Sequence, residues 1–183
     1  MGMSFTEPEK LTLIFDAENR EEWQRTSHVL NCLSINSEMT VADIGAGTGY
    51  FSNIFAGMAK KVHAIDCESN MVRYMQNRFA DSQHGNIKVT QSTLADPCIP
   101  EGVDLVFIAN TYRFIQDRVT FLQNLWAQVS SQAQLIIVDF KGENARVSPQ
   151  MAAAEVEQAG FSIVNMDMSG CPDHYVMELA KAE

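Results

Sequence analysis

Apolar positions recur along this chain at two periods, and the way they alternate predicts the elements. Over residues 19–33, Trp23, Val29, Leu30 and Leu33 share part of one helical face. Residues 40–44 form a short apolar run that the glycines of 45–49 break. Residues 50–58 resume as a helix, with Phe51, Ile54, Phe55 and Met58 at helical spacing. A second strand is predicted over 62–65. Ser69 is placed to cap the next helix, 70 to about 81, whose inner face is Met71, Tyr74, Met75 and Phe79. A third, short strand covers 87–91, and a Pro-containing loop fills 96–102. Residues 103–109 are apolar on both faces apart from Asp104, the pattern of a strand covered on both sides. Asp117 opens a helix reaching Val129, with Phe121, Leu122, Leu125, Trp126 and Val129 inward. Residues 134–140 repeat the buried-strand pattern. Ser148 and Pro149 mark a helix start, and Gly160 ends that helix after Ala159. Residues 161–168 and 175–179 are the last strands.

Strand and helix in alternation imply a doubly wound α/β fold: a mostly parallel sheet with helices on both faces and right-handed crossovers. The link 169–174 between the last two strands is shorter than the roughly dozen residues a parallel crossover needs, so the final strand runs antiparallel. Ligands of such sheets bind at the carboxyl ends of the strands. Residues 45–49, Asp66, 92–94 and Asn110 therefore share one rim. The chain of 183 residues reads as a single domain, with residues 1–36 a helical extension or lid before it.

Composition narrows the partners. The net charge is −10, and the thirteen Lys and Arg are scattered, with no basic face for phosphates. Nucleic acid and anionic membranes are thereby disfavoured; the expected partner is a small molecule, and the expected state a monomer or homodimer. No apolar run approaches the ~18 residues of a membrane span, and no secretory start is visible. Residues 2–6 match a loose acylation pattern too short to carry weight. Cys32, Cys67, Cys98 and Cys171 form no Cys-x-x-Cys pair, which predicts free thiols and a cytoplasmic chain. His28, His63, His84 and His174 are dispersed and predict no metal site.

The segment with the most chemistry is Val41-Ala42-Asp43-Ile44-Gly45-Ala46-Gly47-Thr48-Gly49-Tyr50-Phe51. A strand ends in an acid and turns through glycines into a helix. Gly45 and Gly47 allow backbone shapes and close approaches that side chains block, and the helix start beyond offers N–H groups to an anion. Asp43 adds a negative charge at the same spot. A ligand carrying both carboxylate and ammonium suits that pairing, whereas Asp43 would repel a pyrophosphate. The spacing Gly-x-Gly-x-Gly also differs from the Gly-x-Gly-x-x-Gly of dinucleotide binders. Asp66, ending the second strand, is placed to accept from two ribose hydroxyls.

On these residues the chain resembles the class I S-adenosylmethionine-dependent methyltransferases, over nearly its whole length. The stretch from Asp43 to Gly49 matches that family's first motif, and Asp66 its ribose acid. The resemblance implies S-adenosylmethionine as cofactor, held by Asp43, Gly45, Ala46, Gly47, Gly49, Tyr50, Asp66 and Asn110. It puts Cys67 and Met71 beside the adenine, together with Ser92, Thr93 and Leu94; Ser92 stands where many members have an acid. It implies a seven-stranded sheet in the order 3-2-1-4-5-7-6 with the seventh strand reversed. The tone is that of the small-molecule branch, such as the ubiquinone and menaquinone pathway enzymes. Arg113-Phe114 replaces a His pair common after the fourth strand, which removes the easiest general base. Asn110-Thr111-Tyr112-Arg113 lacks the proline pair of Asn-Pro-Pro-Tyr, the signature for base or glutamine amino groups.

Methyl transfer is an in-line displacement in which the protein supplies position and exclusion of water. Tyr112 and Arg113 are the residues placed to touch the acceptor. The expected function is methyl transfer to a small molecule. The alternatives are a non-catalytic module binding the same cofactor for regulation, and NAD-dependent oxidoreduction.

Overall fold

A computed structural model describes residues 7–80 and 85–182 of the chain. The acylation pattern at 2–6, the expected helix end near 81 and His84 lie outside the described residues. Three short helices come first: α1 (Pro8–Phe15), α2 (Arg20–Trp23) and α3 (Thr26–Asn31). Strands and helices then alternate: β1 (Thr40–Ile44), α4 (Tyr50–Ala56), β2 (Lys61–Asp66), α5 (Ser69–Phe79), β3 (Ile87–Gln91) and β4 (Leu105–Ala109). A 3₁₀ turn at Tyr112–Phe114 leads into α6 (Arg118–Gln128), β5 (Gln134–Phe140), α7 (Pro149–Gln158), β6 (Phe161–Asp167) and β7 (His174–Lys181).

The strands form one sheet in the order β3-β2-β1-β4-β5-β7-β6, as expected from the resemblance. The pairs from β3 to β5 are parallel; β7 runs antiparallel to both β5 and β6. Period-two alternation divides the central strands between two cores. Val106, Ile108, Leu135 and Ile137 face a core shared with Leu122 and Leu125 of α6 and Val156 of α7. Leu105, Phe107, Ile136 and Val138 face the other, shared with Phe51 and Phe55 of α4 and Val29 of α3. There Phe107 packs edge-on against Phe51 and Phe55, with centroids 4.8 and 5.1 Å apart.

Several local expectations are corrected. The predicted helix 19–33 is broken: Arg25 takes φ 50°, and the Glu21 carboxylate receives the Ser27 N–H at 3.1 Å, capping α3 from the preceding helix. α1 precedes both. The cap of α5 is Glu68, which accepts from Asn70 N, and Ser69 already lies inside the helix. Trp126 is not inward but 37% exposed, its Nε1–H donating to Gly160 O at 2.9 Å. The helices at Asp117 and Ser148 begin as read, with both side chains accepting a first-turn N–H. No helix among the described residues is long and apolar enough to cross a membrane.

Candidate functional site

The carboxyl ends of β1, β2, β4 and β5 open onto a cavity of about 700 Å³ that α1 and α2 wall from the other side. β1 delivers Asp43, which is 3% exposed and accepts from Ser52 Oγ at 2.6 Å. Burial, with the nearby charge of Asp66 adding, pushes its carboxyl up to about 7. β2 delivers Asp66, whose Oδ2 accepts from Gly47 N and Oδ1 from Glu68 N, both at 2.9 Å. Burial raises its pKa as well, and those two N–H groups pull the other way. Two desolvated carboxylates thus end adjacent strands beside one cavity.

The glycine turn holds them together. Gly45 has φ 67°, and a Cβ there would overlap the side chain of Thr111, which hydrogen-bonds Gly45 O at 3.1 Å. Four N–H groups of the loop before α4 are spent within the protein. Gly45 and Ala46 donate to Ile65 O, Gly47 to Asp66, and Gly49 to Ala46 O. The turn is stitched to β2, and the charge it presents is that of its carboxylates.

The N-terminal segment supplies the opposing wall. Arg20 is buried, its guanidinium 4.1 Å from the Tyr50 ring centroid and bonded to Gln24 and Phe15 O. Burial lowers its pKa to about 10, against the pull of Tyr50, Asp16 and Asp43. Phe15 lies over Gly47, 3.4 Å from where a Cβ would stand.

At the far end, Asn110 follows β4 with φ 56°, a left-handed shape rare outside glycine. Its Oδ1 accepts from His174 Nε2 at 2.7 Å and, more weakly, from Arg113 Nη1 at 3.4 Å. Arg113 is paired with the buried Asp139, which also takes the Arg113 N–H at 2.9 Å. Trp23, Phe114 and Phe140 give this end an aromatic lining, and Arg146 sits 5.2 Å over the Phe114 ring. His174 is buried, and burial lowers its pKa to about 4, so it is neutral near pH 7.

Of the residues singled out in the sequence, the cavity wall gathers Asp43, Gly45, Ala46, Gly47, Tyr50, Asp66, Cys67, Met71, Leu94, Asn110 and Arg113. It does not include Gly49, which backs onto Phe79. Nor does it include Ser92, whose N–H is bonded to Asp66 O at 2.9 Å, or Thr93, whose hydroxyl holds the Asp96 turn. Tyr112 also lies off the wall. It is fully buried and donates to Glu155 Oε2 at 2.6 Å, a link reinforced by the Arg118–Glu155 pair. Arg20, Phe140, Arg146 and His174 were missed, since nothing in their spacing ties them to the glycine motif. The helical period at 19–33 was the one available signal for Trp23.

A family model described as a methyltransferase domain matches residues 35–181. A malonyl-[acyl-carrier protein] O-methyltransferase of Pectobacterium atrosepticum is 31% identical over 80 residues, 43% of this chain. That match spans 32% of the relative's own length. The crystal structure of a SAM-dependent methyltransferase from Aquifex aeolicus superposes with TM-score 0.82 at 23% identity, covering 99% of this chain and 100% of that one. The structure of DhpI with SAH superposes with TM-score 0.77 at 17% identity, covering 97% and 93%. These likenesses agree with the sheet order and the reversed β7.

Proposed function

We propose, from the premise that this chain belongs to the methyltransferase-domain family, that it transfers the methyl group of S-adenosylmethionine to a small acceptor. The observation that carries the reading is the pair of buried carboxylates, Asp43 and Asp66, ending adjacent strands beside one cavity. Burial raises the pKa of both, so each carboxylate lacks the solvation its charge needs, and a sulfonium with an α-ammonium supplies a counter-charge in its place. Asp66, oriented by Gly47 N and Glu68 N, keeps lone pairs for ribose hydroxyls. Arg20 is the nearby cation for an α-carboxylate. Cys67, Met71 and Leu94 form the less polar wall for the adenine. When bound, the cofactor supplies an electrophilic methyl on a positively charged sulfur.

The chain's own part is to bind, orient and exclude water. Trp23, Phe114 and Phe140 suit an apolar or aromatic acceptor body, and Arg146 a polar or anionic end. His174 holds the Asn110 side chain at this end of the cavity through its Nε2. The N-terminal extension, expected over residues 1–36, acts as a lid through Phe15, Arg20 and Trp23.

Calorimetry tests the cofactor. Heat with S-adenosylmethionine and its demethylated product, and none with NAD, is expected; the reverse overturns the reading. Incubation with methyl-labelled cofactor and a metabolite extract tests transfer. Label in a small-molecule fraction is expected, and cofactor binding with no label in any fraction favours the regulatory module instead.

A further inference from the structure

A second group of ligating side chains lies where α3 meets the β6–β7 hairpin. His28 on α3 and Cys32 at its C-cap are four residues apart, so both project from one helix face. Cys32 Sγ lies 3.7 Å from His28 Nε2, and Asp167 Oδ2 lies 2.6 Å from the same nitrogen. All three donor atoms fall within 4.8 Å of one another. The other oxygen of Asp167 is already committed. Oδ1 accepts from Ser169 N at 2.8 Å, Gly170 N at 2.9 Å and Ser169 Oγ at 3.1 Å. The turn therefore holds the carboxylate with Oδ2 toward the imidazole. Any side chain at position 170 would overlap both His28 Nε2 and Asp167 Oδ2.

We propose that these residues form a zinc site, with His28 Nε2, Cys32 Sγ and Asp167 Oδ2 as ligands and water as the fourth. An ion pair accounts for His28 and Asp167 alone. It does not account for a thiol converging on the same nitrogen. Imidazole, thiolate and carboxylate together suit a borderline-soft, tetrahedral cation. In a tetrahedral zinc site, nitrogen and sulfur ligands stand about 3.5 Å apart, near the separation seen here. His28 and Asp167 are closer because they share a hydrogen bond. The metal takes the place of that bond's proton and of the Cys32 thiol proton, both released to solvent. The hydrogen bonds on Asp167 Oδ1 are the outer contacts that orient a ligand. The site pins α3 to the hairpin, and with it α2, whose Arg20 and Trp23 wall the cavity. It is independent of the cofactor assignment.

The test uses the full-length chain stripped by a chelator, then titrated with Zn²⁺ against a chromophoric competitor and with Co²⁺ followed by visible absorption. One equivalent of Zn²⁺ and a thiolate-to-cobalt charge-transfer band are expected. Cys32→Ser and His28→Ala should each weaken Zn²⁺ binding by about 100-fold or more, and Asp167→Asn, nearly isosteric, by roughly 10- to 100-fold. Circular dichroism checks that each variant is folded. Three results overturn the proposal: no stoichiometric binding, binding that persists in the Cys32→Ser/His28→Ala double variant, or binding lost instead with Cys67→Ser, the exposed thiol.

Discussion

Asp43 is buried at the end of β1, its carboxyl pushed up to about 7 chiefly by burial. A cationic ligand beside it favours the ionised form, so binding and deprotonation are linked. Below that pKa the free protein holds a proton that the ligand must displace. Affinity for S-adenosylmethionine is therefore expected to strengthen as pH rises from about 6 to about 8. Calorimetry across that range checks it, and a flat profile would remove Asp43 from the binding charge. Asp66→Ala should weaken binding by roughly 1–3 kcal/mol through lost charge-assisted hydrogen bonds. An unchanged dissociation constant would refute the ribose assignment. Gly45→Ala combines a positive φ with overlap on Thr111 and should lower stability by about 1–3 kcal/mol, read from the urea midpoint. These positions were legible because the turn chemistry is written in consecutive residues. Tyr112 was not. A tyrosine after a strand reads the same whether it faces the rim or the core, and its partner Glu155 belongs to a distant helix.

Among the elements, the N-terminal helices departed furthest from expectation. A helical period persists through residues 19–33, but Arg25 interrupts the helix at a left-handed φ, which costs about 1–2 kcal/mol for a side chain. The break turns α2 so that Arg20 and Trp23 reach the cavity wall while α3 packs Val29 into the core. Arg25 is exposed beside this hinge. If α1 and α2 act as a lid, S-adenosylmethionine should slow tryptic cleavage after Arg25; mass spectrometry of the fragments reads the rate. Equal rates with and without cofactor would leave the segment as plain packing. The cap of α7 was legible in sequence, because Ser148 and Pro149 act within one turn. Ser148→Ala should cost about 1 kcal/mol, measured by thermal or urea unfolding.

Across the whole molecule, burial sets the pH response of stability. His63 and His174 are both buried, and burial lowers each to about 4, below the roughly 6.5 of an unfolded histidine. Between those values the unfolded chain binds more protons, so their contribution is lost as pH falls from about 6.5 to about 4. Asp43 acts in the opposite sense: its raised pKa favours the folded state in acid, and that contribution is lost as pH rises through about 7. The acid-side fall in urea midpoint should accordingly be shallower in His63→Gln than in the parent chain; identical slopes would show that His63 takes no part. The sequence by itself determined the strands, most of the helices, the reversal of the last strand and the glycine–acid motif. Each of these depends on periodicity or turn geometry within a few neighbouring residues, and on one short link. Only the tertiary structure decided that Arg20, Phe140, Arg146 and His174 share a cavity, that Tyr112 faces Glu155, and that His28 and Cys32 meet Asp167. Those meetings arise when segments far apart in the chain pack on opposite faces and ends of one sheet, and no local pattern records which distant side chains will converge.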